Sequence, residues 1–418
     1  MIVFRLLYAA AMSLLETVAP LFSSKLRQRQ NEWRDTVRKA GLIVERQNAP
    51  VAWFHAASAG EFEQAKPVIE YLANSGVPLT IIASFFSPSG FEAHRTYPFI
   101  NAAVYLPLDS FFSVRFFLRR LRPSVAVIIR YELWFELFRQ IRNARIPLLL
   151  ISATFPSRRL PACIFKEILR AVTTVYSANA DSADKFRPLI SSSAKLITAA
   201  DTRFDRIFSI AREAGFSSKN LLPNDLFAPE DIVIVAGSSW PEDEELLAAV
   251  HRTNKFSSIR FIVVPHEVTQ CHLDSAAKLF PNAIKLSELS SADKRCDIIA
   301  DCYGKLLMLY CFADIAYIGG GFGAGVHSVA EPAGYGIPLI CGPRIYRAPD
   351  AVELHRRGGL RVISDKNGLI ESLDALISSK ENRLATGAIA RQYIESGTGT
   401  SRIIGEDILA RVREAKTS

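Results

Sequence analysis

Short apolar runs alternating with segments of helical periodicity recur along most of this chain. Residues 51–57 (VAWFHAA), 79–85 (LTIIASF), 102–106, 125–130 (VAVIIR), 147–152 (PLLLIS) and 173–177 have the length and near-continuous hydrophobicity of strands buried on both faces. Between them, segments such as 62–75 and 110–121 carry apolar residues at helical spacing. A second series starts with DIVIVAGSS at 231 and continues through RFIVVPHE at 260, IIADCYG at 298, ADIAYIGGG at 313 and PLICGP at 338. Such alternation predicts βαβ units and parallel sheets. Residues 205–230, helical and then polar with Asn220, Pro223, Asn224 and Pro229, separate the two series. No short-period repeat occurs, which argues against solenoids and propellers. The pattern predicts an α/β protein of two doubly wound, Rossmann-like domains facing each other across a cleft, with ligands at the carboxyl ends of the strands.

The first 22 residues, MIVFRLLYAAAMSLLETVAPLF, depart from this pattern. They are strongly apolar, yet Arg5 and Glu16 leave only ten consecutive uncharged residues between them, and a spanning helix needs about 20. Those two charges lie about three helical turns apart, on one narrow stripe with Ser13, and leave the rest of the helix surface as hydrocarbon. Lys25, Arg27, Arg29, Arg34, Arg38 and Lys39 follow, against Glu32 and Asp35, with Trp33 inside the cluster. Residues 1–39 are therefore expected to meet a membrane surface through an anchor helix and a basic flank. The alternative is an amphipathic helix packed on the protein's own body.

Composition refines this picture. At 418 residues the chain is too long for one core, since domains stop growing at roughly 250–300 residues. A content of 49% hydrophobic and 22% charged residues excludes collagenous, coiled-coil and largely disordered classes. Fifty basic and 42 acidic residues give a net charge of +8, which suits an anionic partner. A net four of those positives lie between Lys25 and Lys39, beside the apolar helix, which favours lipid headgroups and phosphorylated substrates over nucleic acid. The six cysteines form no CxxC and no zinc-like Cys/His spacing, so they read as reduced thiols of a cytoplasmic protein, and no metal is implied.

Candidate chemistry sits where the strands end. In HAASAGEF, Ser58 and Glu61 are spaced as a capping box, while Ala57, Ser58, Ala59 and Gly60 leave bare space around the Glu61 carboxylate. Glu61 is thus either a helix cap or a catalytic carboxylate. The helix dipole would lower its pKa unless burial or an anionic substrate opposes it. In SFFSPSGF, Ser87, Ser89 and Gly90 occupy a strand-to-helix turn that either caps its own helix or receives an anion. Glu132 follows the strand VAVII and is placed for a cleft or for pairing with Arg130. In YIGGGFGAGVHSVAEPAGYG, the glycines from Gly319 to Gly325 permit close approach of a ligand. The run is neither GxGxxG with an acidic ribose ligand nor a P-loop. With His327 and Glu331 it describes a nucleotide-sugar site in which the carboxylate takes the ribose hydroxyls.

The motifs HAASAGEF, SFFSPSG, YLPLD, ELW, TRFD, AGSSWPEDE, VVPHE, DCYGKL, IGGG and GVHSVAEPAGYGIPLICGP, in this order over about residues 1–400, closely resemble the Kdo transferases, which attach 3-deoxy-D-manno-octulosonic acid to lipid A precursors. The resemblance implies a GT-B glycosyltransferase fold with an N-terminal membrane-anchor helix. It implies an anchor and flank over 1–40, an acceptor domain over 41–210, a linker over 211–230 and a CMP-sugar domain over 231–418. CMP-Kdo is the implied donor and a lipid A precursor the acceptor, in an inverting transfer without cofactor or catalytic metal, at the cytoplasmic side of a Gram-negative inner membrane. Glu61 matches the family's general base and Glu132 a second acceptor-domain glutamate. Ser58, Gly60, Ser87, Ser89 and Gly90 would line the acceptor side. Gly237, Ser238, Ser239, Pro265, His266, Tyr303, Gly304, Gly320, Gly321, His327, Ser328 and Glu331 match donor-binding positions.

Some positions depart from the family. Arg130, Tyr131 and Phe135 surround ELW where other residues are usual, the PRHP turn becomes Pro265, His266, Glu267 and Val268 without its arginine, and Lys305 replaces a frequent acid. Lys305 or Arg344 are candidates for the missing positive charge. A GT-B enzyme using a UDP-sugar and a noncatalytic membrane-surface protein are the alternative functions.

Overall fold

A computed structural model describes residues 2–156, 161–217, 221–253 and 257–417, so residues 218–220 of the expected linker lie outside the described residues. The chain forms two compact units, residues 1–205 with 397–418, and residues 206–396.

The first unit is built on seven parallel strands, β1 (Val51–Ala56), β2 (Thr80–Phe85), β3 (Ala102–Tyr105), β4 (Val125–Ile129), β5 (Leu148–Ala153), β6 (Thr174–Ser177) and β7 (Lys195–Thr198). Their order is β3-β2-β1-β4-β5-β6-β7, so the direction of winding reverses between β1 and β4. Every residue of β1, β2, β4, β5 and β6 is buried, which is why the sequence shows unbroken apolar runs there. The edge strand β7, with Lys195 and Thr198 exposed, carries no such run and is not predicted.

Helices α1 (Ile2–Phe22), α2 (Ser24–Gln47), α3 (Ala59–Ala73), α4 (Pro88–His94), α5 (Phe111–Leu121) and α6 (Phe135–Asn143) belong to this unit. The predicted polar stripe on α1 is corrected by how it packs. Arg5 is exposed, but the Glu16 carboxylate turns inward and accepts from Ser110 Oγ at 2.7 Å and Ser113 Oγ at 2.6 Å. Tyr8 donates to Asp109 at 2.6 Å, and the Phe4 ring meets Phe135 edge-on at 5.2 Å. Leu7, Leu14, Leu21 and Phe22 stay exposed. Among the described residues no helix is long and apolar enough to cross a membrane.

The last helix, Thr400–Thr417, belongs to the first unit rather than to the second, where the sequence placed it. Its apolar face buries Ile404, Ile408, Leu409 and Val412 in the first core, and Asp205 accepts from the Ser401 amide at 2.7 Å at its amino end.

The second unit has its own parallel sheet, β8 (Ile232–Ser239), β9 (Ile259–Pro265), β10 (Ala283–Lys285), β11 (Asp297–Ile299), β12 (Ile315–Ile318), β13 (Leu339–Cys341) and β14 (Leu360–Val362). The order β10-β11-β9-β8-β12-β13-β14 puts its reversal between β8 and β12. Strands β10 and β14 have three residues each, too few to show a period, and escape the sequence reading.

Asp109 joins α1 to α6. Besides Tyr8 it accepts from the amides of Glu136 and Leu137, both at 2.8 Å, and burial pushes its carboxyl up to about 6. Asp109→Ala would orphan two buried amides and a phenol, and is expected to cost about 3 kcal/mol in urea unfolding, whereas Tyr8→Phe should cost about 1 kcal/mol.

Candidate active site

In each unit the singled-out residues converge at the carboxyl ends of the strands flanking the reversal, where open α/β sheets hold ligands. In the first unit the loops after β1 and β4 carry the two carboxylates. Ser58 is the N-cap of α3, its hydroxyl accepting from the Glu61 amide at 3.4 Å. The Glu61 carboxylate reaches one residue further back than a capping box requires and accepts from the Ala57 amide at 2.7 Å. It is only 9% exposed. Burial raises its pKa and outweighs the lowering by the Ala57 amide, Arg130 and the Ser58 amide, so the expected depression by the helix terminus does not prevail.

Glu132 lies within electrostatic reach of Glu61. Burial first and the Glu61 charge second raise it to about 7, against an opposing hydrogen bond from Trp134 Nε1 at 3.1 Å. Arg130 sits at φ 61° at the end of β4 and stabilises the Glu61 charge, while its own Nε is buried without a hydrogen-bond partner among the described residues. Both carboxyls of the pair are thus shifted toward the neutral form relative to isolated carboxylates.

The loop after β2 is drawn against this site. Ser87 N donates to Ala57 O at 2.9 Å, and a Cβ on Gly90 would lie 3.0 Å from Ala59 N, so Gly90 allows α4 to pack on the Ser58–Ala59 turn. Ser87 caps its own helix by accepting from Gly90 N at 3.1 Å, and Ser89 is exposed. The sequence reading missed Phe86 and Arg29. The Phe86 ring stacks on Trp134 at 5.3 Å, and the Arg29 guanidinium lies 4.3 Å from its centroid. Arg29, counted from sequence among the flank's lipid-facing cations, is 1% exposed and donates to Leu106 O at 2.7 Å. Burial lowers its pKa to about 10.

In the second unit, Gly237, Ser238 and Ser239 end β8 at the reversal. A Cβ on Gly237 would fall 2.0 Å from the Tyr310 hydroxyl, and one on Gly319 2.2 Å from Ser238 O, so only glycine lets these turns approach. His266, after Pro265, stacks against both Trp240 at 4.8 Å and His327 at 4.4 Å, and those two rings lie 6.3 Å from each other. Trp240 Nε1 donates to His327 Nε2 at 2.9 Å, which makes Nε2 the acceptor and leaves the proton on Nδ1. Burial, then the neighbouring His266, lower His327 to about 4. Ser328 beside it has a buried hydroxyl without a hydrogen-bond partner among the described residues.

Gly320 has φ 86°. Its amide donates to Asp243 at 2.8 Å, and Asp243 also accepts from Tyr317 Oη at 2.8 Å and Trp240 N at 3.0 Å. Asp243, also missed from sequence, thereby ties the β8 turn to the glycine loop. Gly321 packs on Gly342, and Arg344 donates to Gly323 O within that loop. Tyr303 accepts from Val268 N at 2.9 Å beside the His266 turn, and Gly304 follows at φ 80°. Glu331 stands in the first turn of helix Ala330–Tyr335 and acts electrostatically on Tyr310 beneath Gly237. A cavity of about 510 Å³ opens next to these loops, lined by Trp240, Glu244, His266, Thr269 and His272 among others.

A family profile described as 3-deoxy-D-manno-octulosonic-acid transferase (kdotransferase) matches residues 30–206. The chain is 25% identical over 363 residues to a 3-deoxy-D-manno-octulosonic acid transferase of Haemophilus influenzae, covering 83% of this chain and 84% of that protein. A transferase of the same name from Chlamydia muridarum is 27% identical over 369 residues, covering 83% and 81%. Among solved structures, a UDP-GlcNAc 2-epimerase from Neisseria meningitidis bound to UDP-GlcNAc superimposes with TM-score 0.61 at 15% identity, covering 87% of this chain and 100% of that one. MurG of Acinetobacter baumannii gives TM-score 0.54 at 14% identity, covering 87% and 99%. The structural likenesses establish the fold, two parallel-sheet α/β domains with GT-B-like neighbours, and the sequence relatives establish the class, a glycosyltransferase. Within that class the chain is similar to the 3-deoxy-D-manno-octulosonic acid transferases, over about 83% of its length in the two relatives named.

The imidazole stack makes a direct prediction. In a histidine NMR titration His327 should stay neutral down to about pH 4, whereas an ordinary imidazole titrates near 6.5. A midpoint above 6 would contradict the buried, tryptophan-bonded ring.

Proposed function

We propose that this chain transfers Kdo from CMP-Kdo to a lipid A precursor with inversion, Glu61 serving as general base. The observation that carries the reading is the buried Glu61 carboxylate, raised in pKa beside Glu132 at the reversal between β1 and β4. A base works best with a pKa near the operating pH, and burial moves Glu61 in that direction. Glu61 would remove the proton of the attacking acceptor hydroxyl. The new bond would form between that oxygen and the anomeric carbon, and the bond from that carbon to the phosphate oxygen would break, its electron pair leaving with CMP. Ser58, Gly60 and the Phe86–Gly90 loop would receive the acceptor sugar. Glu132, protonated below about 7, would donate a hydrogen bond to it or hold the local charge at one.

On the donor side, the turns at Gly237–Ser239, His266 and Gly320–Gly321 would hold the phosphate and cytidine, and Glu331 the ribose. His327 is neutral at physiological pH, so it would act as a hydrogen-bond donor through Nδ1 rather than as a charge. Arg344, fixed to the glycine loop, is the better placed of the two candidate cations. These groups would stabilise the leaving phosphate without a metal. The α1 face carrying Leu7, Leu14, Leu21 and Phe22 would lie on the cytoplasmic surface of the inner membrane, where a lipid acceptor resides.

Incubation with CMP-Kdo and a tetraacyl lipid A precursor, read by mass spectrometry, tests the reading. Product is expected with CMP-Kdo, and turnover only with a UDP-sugar would overturn it. EDTA is expected to leave the rate within about twofold, as a metal-free stabilisation requires. Glu61→Gln should lower kcat by about 10²–10⁴ while donor binding and the unfolding midpoint are retained. In the pH profile of kcat/KM an ionisation near 7 should appear in the natural enzyme and vanish in Glu132→Gln, because the pair loses its second proton there as pH rises.

A further inference from the structure

A cavity of about 710 Å³ on the first unit lies outside everything assigned above, between α5 and the carboxyl end of α2. Arg115, Arg119, Arg120 and Arg122 line it with Phe111, Phe112 and Phe116, and Glu45 is the single acid in its wall. Phe112, Arg115, Arg119 and Arg122 follow one another at three- and four-residue steps, which sets them on one face of α5 and its end. All four arginines are exposed, and among the described residues none forms an ion pair with a carboxylate. No acid occurs from Phe111 to Arg122.

A solvated helix face normally mixes both signs, because like charges one turn apart repel. The helix terminus accounts for cations at Arg119 and Arg120. It does not account for Arg115 in mid-helix, nor for a phenylalanine that is 79% exposed at Phe112. Four arginines lining an open cavity, with Arg120 over the Phe116 ring at 5.7 Å and an exposed phenylalanine at their edge, match a layer in which phosphates lie above hydrocarbon.

The surroundings select the source of those phosphates. Ser110 and Ser113, which hold Glu16 of α1, belong to the first turn of α5 and bracket Phe112 in sequence. The exposed leucines of α1 and the arginines of α5 are therefore borne by two helices joined at that carboxylate. The α2 flank, by contrast, offers less charge than its sequence suggests. Arg29 is buried, and Lys39 is paired with Asp35 at 2.7 Å. We propose that the Arg115–Arg119–Arg120–Arg122 cavity is a docking site for the phosphate headgroups of anionic membrane phospholipids, with Phe112 entering the acyl boundary. This rests on the membrane-surface reading of α1 and adds a separate, lipid-selective element to it.

The full chain would be sedimented with vesicles of phosphatidylcholine alone and with vesicles in which about 30% of the lipid is phosphatidylglycerol. R115Q/R119Q is expected to weaken binding to the anionic vesicles by roughly thirtyfold, as loss of two cations at an anionic surface predicts, and to leave binding to neutral vesicles within about twofold. Turnover of CMP-Kdo with a deacylated, soluble acceptor should be unchanged in that variant, which separates this inference from the transferase reading. Absence of turnover in both proteins would sink the latter alone. Unaltered binding of R115Q/R119Q to anionic vesicles would overturn the proposal. So would displacement of the natural protein from those vesicles by millimolar inorganic phosphate at constant ionic strength, since the cavity would then take a soluble anion.

Discussion

Two carboxylates held near each other away from water ionise less readily than in solution, and the loops after β1 and β4 hold Glu61 and Glu132 in that situation. Glu61 accepts from the Ala57 amide and Glu132 from Trp134, which does not make up for the water that burial removes. That deficit raises both pKa values, and the Glu61 charge raises Glu132 further. Keeping the deficit requires small residues from Ala57 to Gly60, a helix packed closely enough to need Gly90, and Arg130 turned into a left-handed conformation at the strand end. The left-handed conformation of Arg130 is unfavourable locally and is held at the end of the fully buried strand β4.

The strand-end loops of the second unit are shaped by close backbone approach. The turns at Gly237 and Gly319–Gly321 are closed so tightly that a single methyl group would strike the Tyr310 hydroxyl or a main-chain atom. Asp243 fastens two of these turns by three hydrogen bonds from one carboxylate. In place of a positively charged turn the chain has three stacked rings, Trp240, His266 and His327, and the His327 ring is kept uncharged by burial. Where the resemblance implies an arginine in this turn, His266 thus joins an aromatic stack.

The sequence exposes whatever follows from burial on two faces. Central strands and the turns that leave them were legible because a parallel sheet between helices demands unbroken apolar runs, and glycines mark the close approaches. Glu61, Glu132, His266, His327 and the glycine loop are found where motif order placed them. Edge strands β7, β10 and β14 were illegible, being half exposed or three residues long. The return of the Thr400–Thr417 helix to the first unit was equally hidden, since amphipathic spacing reveals that a helix has a buried face but not which core receives it. Phe86 and Asp243 were missed because a residue that acts by positioning another has no composition signal of its own.

Charge was the least legible property, for a physical reason. A run of arginines records only that cations are present, and their solvation is decided by packing. Arg29 stands in the basic flank, yet it is buried under Phe86 with two of its nitrogens lacking any hydrogen-bond partner among the described residues. A buried, incompletely paired guanidinium is destabilising relative to a well-packed apolar side chain of similar size. What it provides in return is position. Arg29 fixes Phe86, Phe86 stacks on Trp134, and Trp134 bonds Glu132, so α2 reaches the carboxylate pair through three contacts. The arginines lining the α5 cavity, with no local sequence context to recommend them, are exposed and, among the described residues, unpaired with any carboxylate. The same residue type therefore serves as an internal strut in one helix and as a headgroup ligand in the other.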